Sequence, residues 1–390
     1  MNNALARLPE PSPDAKAVSD ALQERIASEI RAGGADGWMS FARFMGLALY
    51  TPGLGYYAGG SRKFGAEGDF LTAPELTPLF GQALARQIAQ IMRASSAVVM
   101  EAGAGSGKLA ADLLLALDAL GCRPEQYQIL ELSGELQARQ HQTITSLAPQ
   151  FLSRVRWLDV LPSSFSGCIL GNELLDAMPT HKVTWREDGI REIGVSLDAD
   201  GRFTYAERTA DVHLAALAAA LDVSAPYRSE IGLAARSWVS EMTRRLHSGA
   251  LLLIDYGLPR HEYYHPQRDG GTIRCHYRQR THDDPFWWPG LSDITAHIDF
   301  TAVAEAAHDA SANVAGYTTQ AAFLMNCGIA DLLAARQQSD DAAAIARATG
   351  ALNLILSPNE MGELFKVIAL TKNISAALLG FARSDRTHTL

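Results

Sequence analysis

The sequence predicts an α/β protein with a parallel sheet at its centre and substantial additions on both sides of that sheet. Between residues 97 and 171, four short apolar runs alternate with two longer helical patterns. Strands that alternate with helices form parallel sheets with right-handed crossovers. A glycine-rich turn, residues 103–107, follows the first of these strands, which favours a Rossmann-like sheet. The chain has 390 residues, of which 47% are hydrophobic, so it can bury a large core.

Residues 1–95 are predicted to form a helical region with its own character. One amphipathic helix ends at Gly33, a second begins near Ser40, and a third runs from about Pro78 to Met92. Between the second and third helices lies a stretch rich in glycine and tyrosine that is too long for a simple connection. Long ordered loops of this kind are usually functional, so we expect it on the substrate side of a binding site.

The alternating strands and helices extend over residues 96–260, which are predicted to be the Rossmann-like core. An insertion at about 181–208 interrupts them. It alternates with period two and has turn signals at residues 188–189 and 200–201. We therefore predict a small antiparallel excursion of two hairpins at this point.

After the insertion, the pattern predicts a helix over residues 229–249 and a fifth buried strand over 250–257. Residues 261–390 are predicted to complete the core and to add helices on the substrate side. They begin with a loop rich in Tyr, His and Trp, and their last strand is expected at 365–372.

Charge and cysteine content narrow the classes of function. The formal net charge is -9, which disfavours a general attraction to the phosphate backbone of a nucleic acid. The four cysteines are far apart and form no C-x-x-C pair, so we expect reduced, mostly buried thiols. The first residues have no apolar run typical of a secretory signal, and no run of about eighteen apolar residues occurs. These features predict a soluble, cytoplasmic protein that does not span a membrane.

The strongest chemical signal is the loop at residues 101–107, between the first core strand and the following helix. Glycines let the backbone turn sharply and let a ligand approach the main chain. A P-loop is excluded because Ala102 and Leu109 stand where that motif needs Gly and Ser or Thr. The dinucleotide fingerprint is excluded because Lys108 stands where its last glycine should be.

What remains is the pattern E-x-G-x-G-x-G, which resembles the first motif of S-adenosylmethionine-dependent methyltransferases. That resemblance implies that Gly103, Gly105 and Gly107 approach the methionyl part of the cofactor. It also implies that Glu101 faces the cationic ammonium group, directly or through water.

Two further acids follow later strands of the core. Glu131 closes the second strand, 24 residues after Gly107, where a carboxylate can accept hydrogen bonds from both ribose hydroxyls. The alternative for Glu131 is a helix cap in contact with solvent. Asp159 follows the third strand and is a candidate for binding the adenine amino group, although a role outside the site is equally open for it.

Further motifs extend the similarity over most of the chain. They include G-D-F-L-T-A-P-E in the N-terminal region and G-N-E-L-L-D-A-M-P after the fourth strand. The blocks that carry it, besides the glycine loop, are residues 55–57, 68–75, 171–179, 255–257, 271–274, 293–300 and 361–366. The chain resembles the MidA-type methyltransferases, a family that includes the mitochondrial arginine methyltransferase that assists assembly of respiratory complex I.

The resemblance implies a class I methyltransferase core, S-adenosyl-L-methionine as the cofactor, and arginine in a protein substrate, for example a respiratory-complex subunit. Asn172 and Glu173 follow the fourth strand, where ligands of open α/β sheets bind, and we assign Asn172 to the cofactor. On one turn of helix, Glu173 and Asp176 would share a face and could hold a planar guanidinium. The alternative is that Asn172 only caps that helix. Tyr57 is expected to line the pocket and contact the cation.

No metal is expected, although one motif matches a zinc site by letter. His261 and His265 belong to an H-E-x-x-H sequence, which binds zinc only when it lies on a helix. Pro259 precedes this sequence and Pro266 follows it, so a stable helix of several turns is excluded. We predict a loop near the active site instead.

Two other functions stay open. One is methylation of a different acceptor, such as an RNA base or a small molecule, and the acidic charge disfavours RNA. The other is an assembly factor that binds the cofactor without turnover, although the acids at Glu101, Glu131 and Glu173 favour catalysis. A protein substrate is the expected partner, and self-association into a homodimer is left open.

Overall fold

The computed structural model describes residue 5 and residues 8–33, 37–59, 72–338 and 341–390 of the chain. Residues 60–71 lie outside this part. They include the middle part of the predicted glycine- and tyrosine-rich loop and the first half of the G-D-F-L-T-A-P-E motif.

The helices within the described residues are α1 (Pro13–Ala32), α2 (Phe41–Tyr50), α3 (Ala73–Leu76), α4 (Pro78–Ala94), α5 (Lys108–Ala119), α6 (Gly134–Leu147), α7 (Val212–Ala219), α8 (Leu233–Arg245), α9 (Arg260–Tyr263), α10 (Phe300–Asp309), α11 (Gln320–Asn326), α12 (Ile329–Arg336), α13 (Ala342–Leu356) and α14 (Met361–Leu364). The strands are β1 (Trp38–Ser40), β2 (Val98–Ala102), β3 (Gln126–Leu130), β4 (Val155–Trp157), β5 (Phe165–Asn172), β6 (His181–Arg186), β7 (Gly189–Leu197), β8 (Phe203–Thr209), β9 (Tyr227–Ile231), β10 (Leu246–Leu258), β11 (Arg274–Tyr277), β12 (Arg280–His282), β13 (Asp293–Thr295), β14 (Ile298–Asp299), β15 (Asn313–Thr319) and β16 (Phe365–Lys372). Short 3-10 helices cover Pro149–Arg154, Pro266–Arg268, Leu379–Phe381 and Thr387–Thr389.

The chain divides into two compact units, each assembled from three stretches of sequence. Unit 1 consists of the described residues of 1–70, 176–236 and 260–299. Unit 2 consists of the described residues of 71–175, 237–259 and 300–390. This division differs from the three consecutive regions expected from the sequence, 1–95, 96–260 and 261–390. The difference arises because strands and helices that are distant in sequence pair within each unit; α4, for example, packs in the core of unit 2.

Unit 2 contains the predicted Rossmann-like sheet, with the strand order β15-β16-β10-β5-β2-β3-β4. The five strands from β10 to β4 run parallel to their neighbours, which confirms the predicted parallel sheet. β16 is the predicted last strand, and it lies antiparallel between β10 and β15. β15 was not predicted. Its first three residues are at least partly exposed, and it contains Gly316, so its strand pattern is weak.

Helices α4 and α5 pack together in the core cluster of unit 2. Their inward positions recur at i and i+4, as in Leu84 and Ile88 of α4 and Leu113 and Leu117 of α5, and all four side chains are completely buried. Full burial of such a side chain stabilises the fold by about 1.5–3 kcal/mol. This packing fixes the sheet and therefore the positions of its strand ends.

Unit 1 contains an antiparallel sheet with the order β1-β7-β6-β9, in which β8 also pairs with β7. The β6–β7 and β7–β8 hairpins confirm the excursion predicted at 181–208. The helix predicted over 229–249 is wrong at both ends: residues 227–231 form β9, and β10 begins at Leu246. Pairing of β9 with β6 buries Ser229 and Glu230 and overrides the helical pattern.

No helix in the described part of the chain combines the length and apolarity needed to cross a membrane. The four cysteines are free thiols, and all except Cys122 are buried, as predicted.

Candidate active site

Unit 2 brings the predicted cofactor residues to one edge of its sheet. β4, β3, β2 and β5 are adjacent and parallel, so their carboxyl ends meet at the same edge. Glu101 lies near the end of β2, Glu131 directly follows β3, Asp159 follows β4, and Asn172 ends β5. Ligands of open α/β sheets bind at this edge.

The glycine loop has the backbone geometry that only glycine adopts readily. Gly103, Gly105 and Gly107 have φ angles of 69°, 52° and 82°. A Cβ atom at Gly103 would lie 3.0 Å from Leu174 Cδ1, and one at Gly107 would lie 2.8 Å from Gln140 Cα. A side chain would therefore be strained at all three positions, and at Gly103 and Gly107 it would be crowded as well.

Glu101 is a buried carboxyl group with an unusual pKa. Its side chain accepts a hydrogen bond of 2.5 Å from the hydroxyl of Tyr127. Burial raises the pKa of Glu101 from 4.5 to about 7; the Tyr127 hydrogen bond opposes this rise, and the charge of Glu131 adds to it. A nearby cation would favour the ionised form, so this group is suited to a positively charged ligand.

The loop is also held from the N-terminal side of unit 2. The hydroxyl of Ser106 donates to the carboxylate of Glu75, which belongs to the T-A-P-E motif and lies on α3. Lys108 forms an ion pair with Asp112 one turn further along α5. A motif that the sequence connected only with the family thus has a structural role in holding the glycine loop.

Glu131 is half-buried and hydrogen-bonded on both carboxylate oxygens. Oε1 accepts from the Ser133 main-chain N–H at 2.9 Å, and Oε2 accepts from Gln140 Nε2 at 3.0 Å. Burial raises its pKa, and these hydrogen bonds oppose the rise. The cap of α6 is Ser133, whose hydroxyl accepts from Leu136 N–H, so the alternative of Glu131 as a solvent-exposed helix cap is wrong. Asp159, in contrast, is exposed.

The segment after β5 is not a helix. Glu173 has a left-handed φ of 51°, and its N–H donates to Ile254 O on β10 at 2.9 Å. The prediction that Glu173 and Asp176 share a helical turn is therefore wrong, and the two residues belong to different compact units. The alternative of Asn172 as a helix cap is wrong as well, because Asn172 is the last residue of a strand.

Asp255, which the sequence marked only as part of a family block, fixes this segment. It is buried on β10, and its Oδ2 accepts from the N–H groups of Leu174 at 3.1 Å and Leu175 at 2.7 Å. These bonds replace the ones that a helical turn would make. Next to them, Asn172 Nδ2 donates to Glu173 Oε1 at 3.1 Å, while Asn172 Oδ1 is buried and has no hydrogen-bond partner among the described residues.

Unit 1 contains the remaining predicted site residues. The hydroxyl of Tyr57 donates to Asp293 Oδ2 at 2.8 Å, and its ring stacks on Tyr50 with centroids 5.5 Å apart. Burial, followed by the charge of Asp293, raises the pKa of Tyr57 well above its ordinary value, so the phenol stays a neutral donor. Asp176 is buried in the same unit, and its main-chain oxygen accepts from Ala296 N–H at 3.0 Å. Asp293 belongs to one of the family blocks in the sequence, but nothing in its local pattern indicates this contact with Tyr57.

The H-E-x-x-H sequence does not lie on a helix of several turns, as the flanking prolines predicted, although its first three residues belong to one short turn of helix rather than to the expected loop. α9 ends at Tyr263, and His265 lies beyond it, where its Nδ1 accepts from Gln267 N–H at 3.2 Å. Within the part of the chain that the structure describes, no three His, Cys, Asp or Glu side chains are grouped so that they could hold a metal ion.

The residues at the edge of unit 2 fit S-adenosyl-L-methionine. The glycines of the loop adopt positive φ angles that let the main chain turn at the end of β2, and a buried amide oxygen at Asn172 lacks a donor among the described residues. A carboxyl group near the end of β2 is poised to ionise beside a cation, and a second follows β3, where ribose binds in sheets of this kind. Fold and site together define the class of S-adenosylmethionine-dependent methyltransferases.

Comparison with known proteins agrees with this class. A family model described as S-adenosyl-L-methionine-dependent methyltransferase matches residues 83–318. The chain is 51% identical to a Burkholderia thailandensis protein solved with bound S-adenosyl-homocysteine. The two structures superpose with a TM-score of 0.94, covering 98% of this chain and 100% of that one. The protein therefore belongs to the S-adenosyl-L-methionine-dependent methyltransferase family and uses that cofactor.

Two curated relatives are named mitochondrial protein arginine methyltransferases. The chain is 29% identical over 385 residues to NDUFAF7 of Danio rerio, covering 90% of this chain and 87% of the relative. It is 27% identical over 337 residues to the NDUFAF7 homologue of Caenorhabditis elegans, covering 79% of this chain and 76% of the relative.

Proposed function

We propose that this protein methylates a guanidino nitrogen of arginine in a protein substrate. The observation that carries the proposal is that relatives named protein arginine methyltransferases match over most of their length and most of this chain. The acidic net charge supports a cationic protein segment over a nucleic acid as the acceptor. A subunit of a respiratory complex is the first substrate to test.

In this proposal the edge of unit 2 holds the cofactor, which supplies an activated methyl group on a sulfonium centre. The three glycines of the loop let the main chain approach the methionyl part, and Glu101 balances its positive charge. Glu131 accepts hydrogen bonds from the ribose hydroxyls, and Asp159 accepts one from the adenine amino group. Asn172 receives a donor at its buried Oδ1.

Glu173, Asp176 and Tyr57 serve the acceptor. A guanidinium is a poor nucleophile while it is charged, because its lone-pair density is delocalised. The Glu173 carboxylate, held by the Asn172 amide, would bind it, concentrate electron density on one nitrogen and take up the proton that is lost. Asp176 and Tyr57 belong to unit 1, and there we propose that a carboxylate and a neutral phenol contribute to recognition of the cationic acceptor. Alignment of the two reactants accounts for much of the rate.

The test is the Glu173→Gln variant, which keeps the shape of the side chain and removes its charge. Methyl transfer to an arginine-containing protein should fall by roughly a hundredfold, as for the loss of one electrostatic stabiliser. That corresponds to about 3 kcal/mol on the barrier. Single-turnover transfer of an isotopically labelled methyl group, with mass spectrometry of the product, measures the effect. Calorimetry should show unchanged affinity for S-adenosylhomocysteine.

Glu125→Gln is the matched control. It makes the same chemical change at an exposed residue that precedes β3, at the opposite end of that strand, so neither transfer nor binding should change. Full activity of Glu173→Gln would remove this residue from the mechanism, and a parallel loss of cofactor binding would make it a cofactor residue. If the wild-type protein transfers no methyl group to any protein of a lysate, the non-catalytic assembly factor becomes the better explanation.

A further inference from the structure

We propose that Gln140 is a positioning residue that aligns the glycine loop and the Glu131 carboxylate with each other. This inference rests on the proposed role of Glu131 in binding the ribose. α6 is mostly a polar surface helix that buries Leu136, Gln140 and Ile144. Because these residues are four apart, they form one inward stripe, and an amide occupies its middle, where an apolar side chain would be expected.

The contacts of the buried amide fix its orientation. Trp157 Nε1 donates to Gln140 Oε1 at 3.0 Å, and an indole nitrogen can only donate, so the amide oxygen must face it. The amide nitrogen then donates to the main-chain oxygen of Gly105 at 3.2 Å and to Glu131 Oε2 at 3.0 Å. A buried amide is tolerated when it makes its hydrogen bonds, and this one directs them to the edge of the sheet where the cofactor site lies.

The main chain of Gln140 makes a second contact with the loop. A Cβ atom at Gly107 would lie 2.8 Å from Gln140 Cα and 3.2 Å from Gln140 O. The loop therefore closes directly onto α6 at this residue. Gly105 is held by the side chain of Gln140, and Gly107 packs on its backbone.

The Glu131 carboxylate is held by a hydrogen bond to each of its two oxygens. Ser133 N–H bonds one oxygen and Gln140 bonds the other, which sets the plane of the carboxylate and the direction of its remaining lone pairs. A fixed carboxylate discriminates sharply between a ligand with ribose hydroxyls and one without them. Methionine at position 140 would have a similar size but would supply none of these bonds, and glutamate would place acceptors where donors are needed.

The experiment compares the affinities for S-adenosylhomocysteine and its 2′-deoxy analogue by calorimetry. The wild-type protein should prefer the parent compound by roughly ten- to a hundredfold, the range for one hydrogen bond to a charged group. Gln140→Met should reduce this preference to about threefold or less, and Glu131→Gln should do the same. The double variant should lose nothing more, because both changes act through one carboxylate.

Gln87→Met is the matched control. Gln87 is also completely buried in unit 2, where its amide oxygen accepts from Gly380 N–H at 2.8 Å, in a different part of the fold. Its replacement should lower the melting temperature and leave the preference for the 2′-hydroxyl intact. This control separates a general loss of stability from a loss of alignment. Gln140→Glu is the second variant, for use if Gln140→Met does not fold.

Two outcomes distinguish a failure of the proposed Gln140 role from a failure of the proposed ribose role of Glu131. If Glu131→Gln abolishes the preference and a folded Gln140→Met or Gln140→Glu variant retains it, Gln140 does not position the carboxylate. If Glu131→Gln itself retains the preference, the proposed ribose role of Glu131 fails instead.

Discussion

The site residues of unit 2 and those of unit 1 offer different chemistry. Unit 2 presents main-chain groups of a glycine loop and carboxyl groups whose pKa values burial has raised, with Glu101 near 7. Unit 1 presents stacked aromatic rings and a phenol, Tyr57, whose pKa is raised far out of the physiological range. The protonation state of Glu101 in unit 2 can therefore respond to the charge of a ligand. The phenol of Tyr57 in unit 1 stays protonated whatever the ligand's charge.

This difference suggests a division of labour between the units. A ligand that is the same in every catalytic cycle suits a loop of fixed backbone geometry at the edge of a sheet. A flat cationic acceptor suits aromatic surfaces and a neutral donor. Substitutions in the glycine loop or at Glu101 and Glu131 of unit 2 should then change cofactor binding. Substitutions at Tyr57 of unit 1, and at Glu173 as the one acceptor residue of unit 2, should change the use of the acceptor instead.

The largest effect is expected from Gly107→Val in unit 2. The new side chain would start 2.8 Å from Gln140 Cα, and residue 107 would keep a φ of 82°, which is costly for a β-branched residue. We expect affinity for S-adenosylhomocysteine to fall by more than about a hundredfold, which is close to 3 kcal/mol. Calorimetry on the folded variant measures this.

Gly121→Val is the control for backbone strain. Gly121 also has a positive φ, 64°, but a Cβ atom there would meet nothing within 4 Å. It should lose stability and keep its affinity for the cofactor product. Equal affinities in the two variants would show that the glycine loop does not bind this ligand.

The fold of unit 2 and its acids could be predicted because their signals are local. The glycine loop and Glu131 each adjoin the strand that positions them, so the pattern of the chain was enough. Tyr57 and Asp293 are joined by a contact between segments 236 residues apart in sequence, which no local pattern encodes. The prediction of a helical turn after β5 was wrong for the same reason. Asp255, on a strand distant in sequence, accepts hydrogen bonds from the N–H groups of this segment. A detectable signal was missed at Gln140, a polar residue within a buried stripe.

An intermediate effect is expected from pH, again in unit 2. With a pKa of about 7, Glu101 is mostly protonated at pH 6 and mostly ionised at pH 8. If the ligand binds only the ionised form, affinity for S-adenosyl-L-methionine should fall by roughly tenfold from pH 8 to pH 6.

The pH dependence of folding stability without ligand has the opposite sign. Because the pKa is raised from 4.5, the contribution of Glu101 to stability is present at low pH and is lost as pH rises towards 7.

Glu101→Gln isolates this contribution. The ligand and Glu131 titrate in both proteins, so the difference between the two pH profiles belongs to Glu101. A profile that is equally steep in the variant would exclude Glu101 as the source of the pH dependence.

The smallest effect is expected in unit 1, from Tyr57→Phe. The change removes the hydroxyl that donates to Asp293 and keeps the ring that stacks on Tyr50. Loss of one such hydrogen bond costs about 1 kcal/mol, and if that whole cost falls on the orientation of the ring that receives the acceptor, KM for the protein substrate rises by roughly fivefold. Affinity for S-adenosylhomocysteine should stay unchanged, because no cofactor residue belongs to unit 1 in the proposed division.

The control is Tyr227→Phe, which removes a hydroxyl that donates to His265 O in the same unit. It should cost similar stability without raising KM. If Tyr57→Phe weakened cofactor binding and left KM alone, the division of labour between the two units would be wrong. Tyr57 would then act on the cofactor rather than on the acceptor.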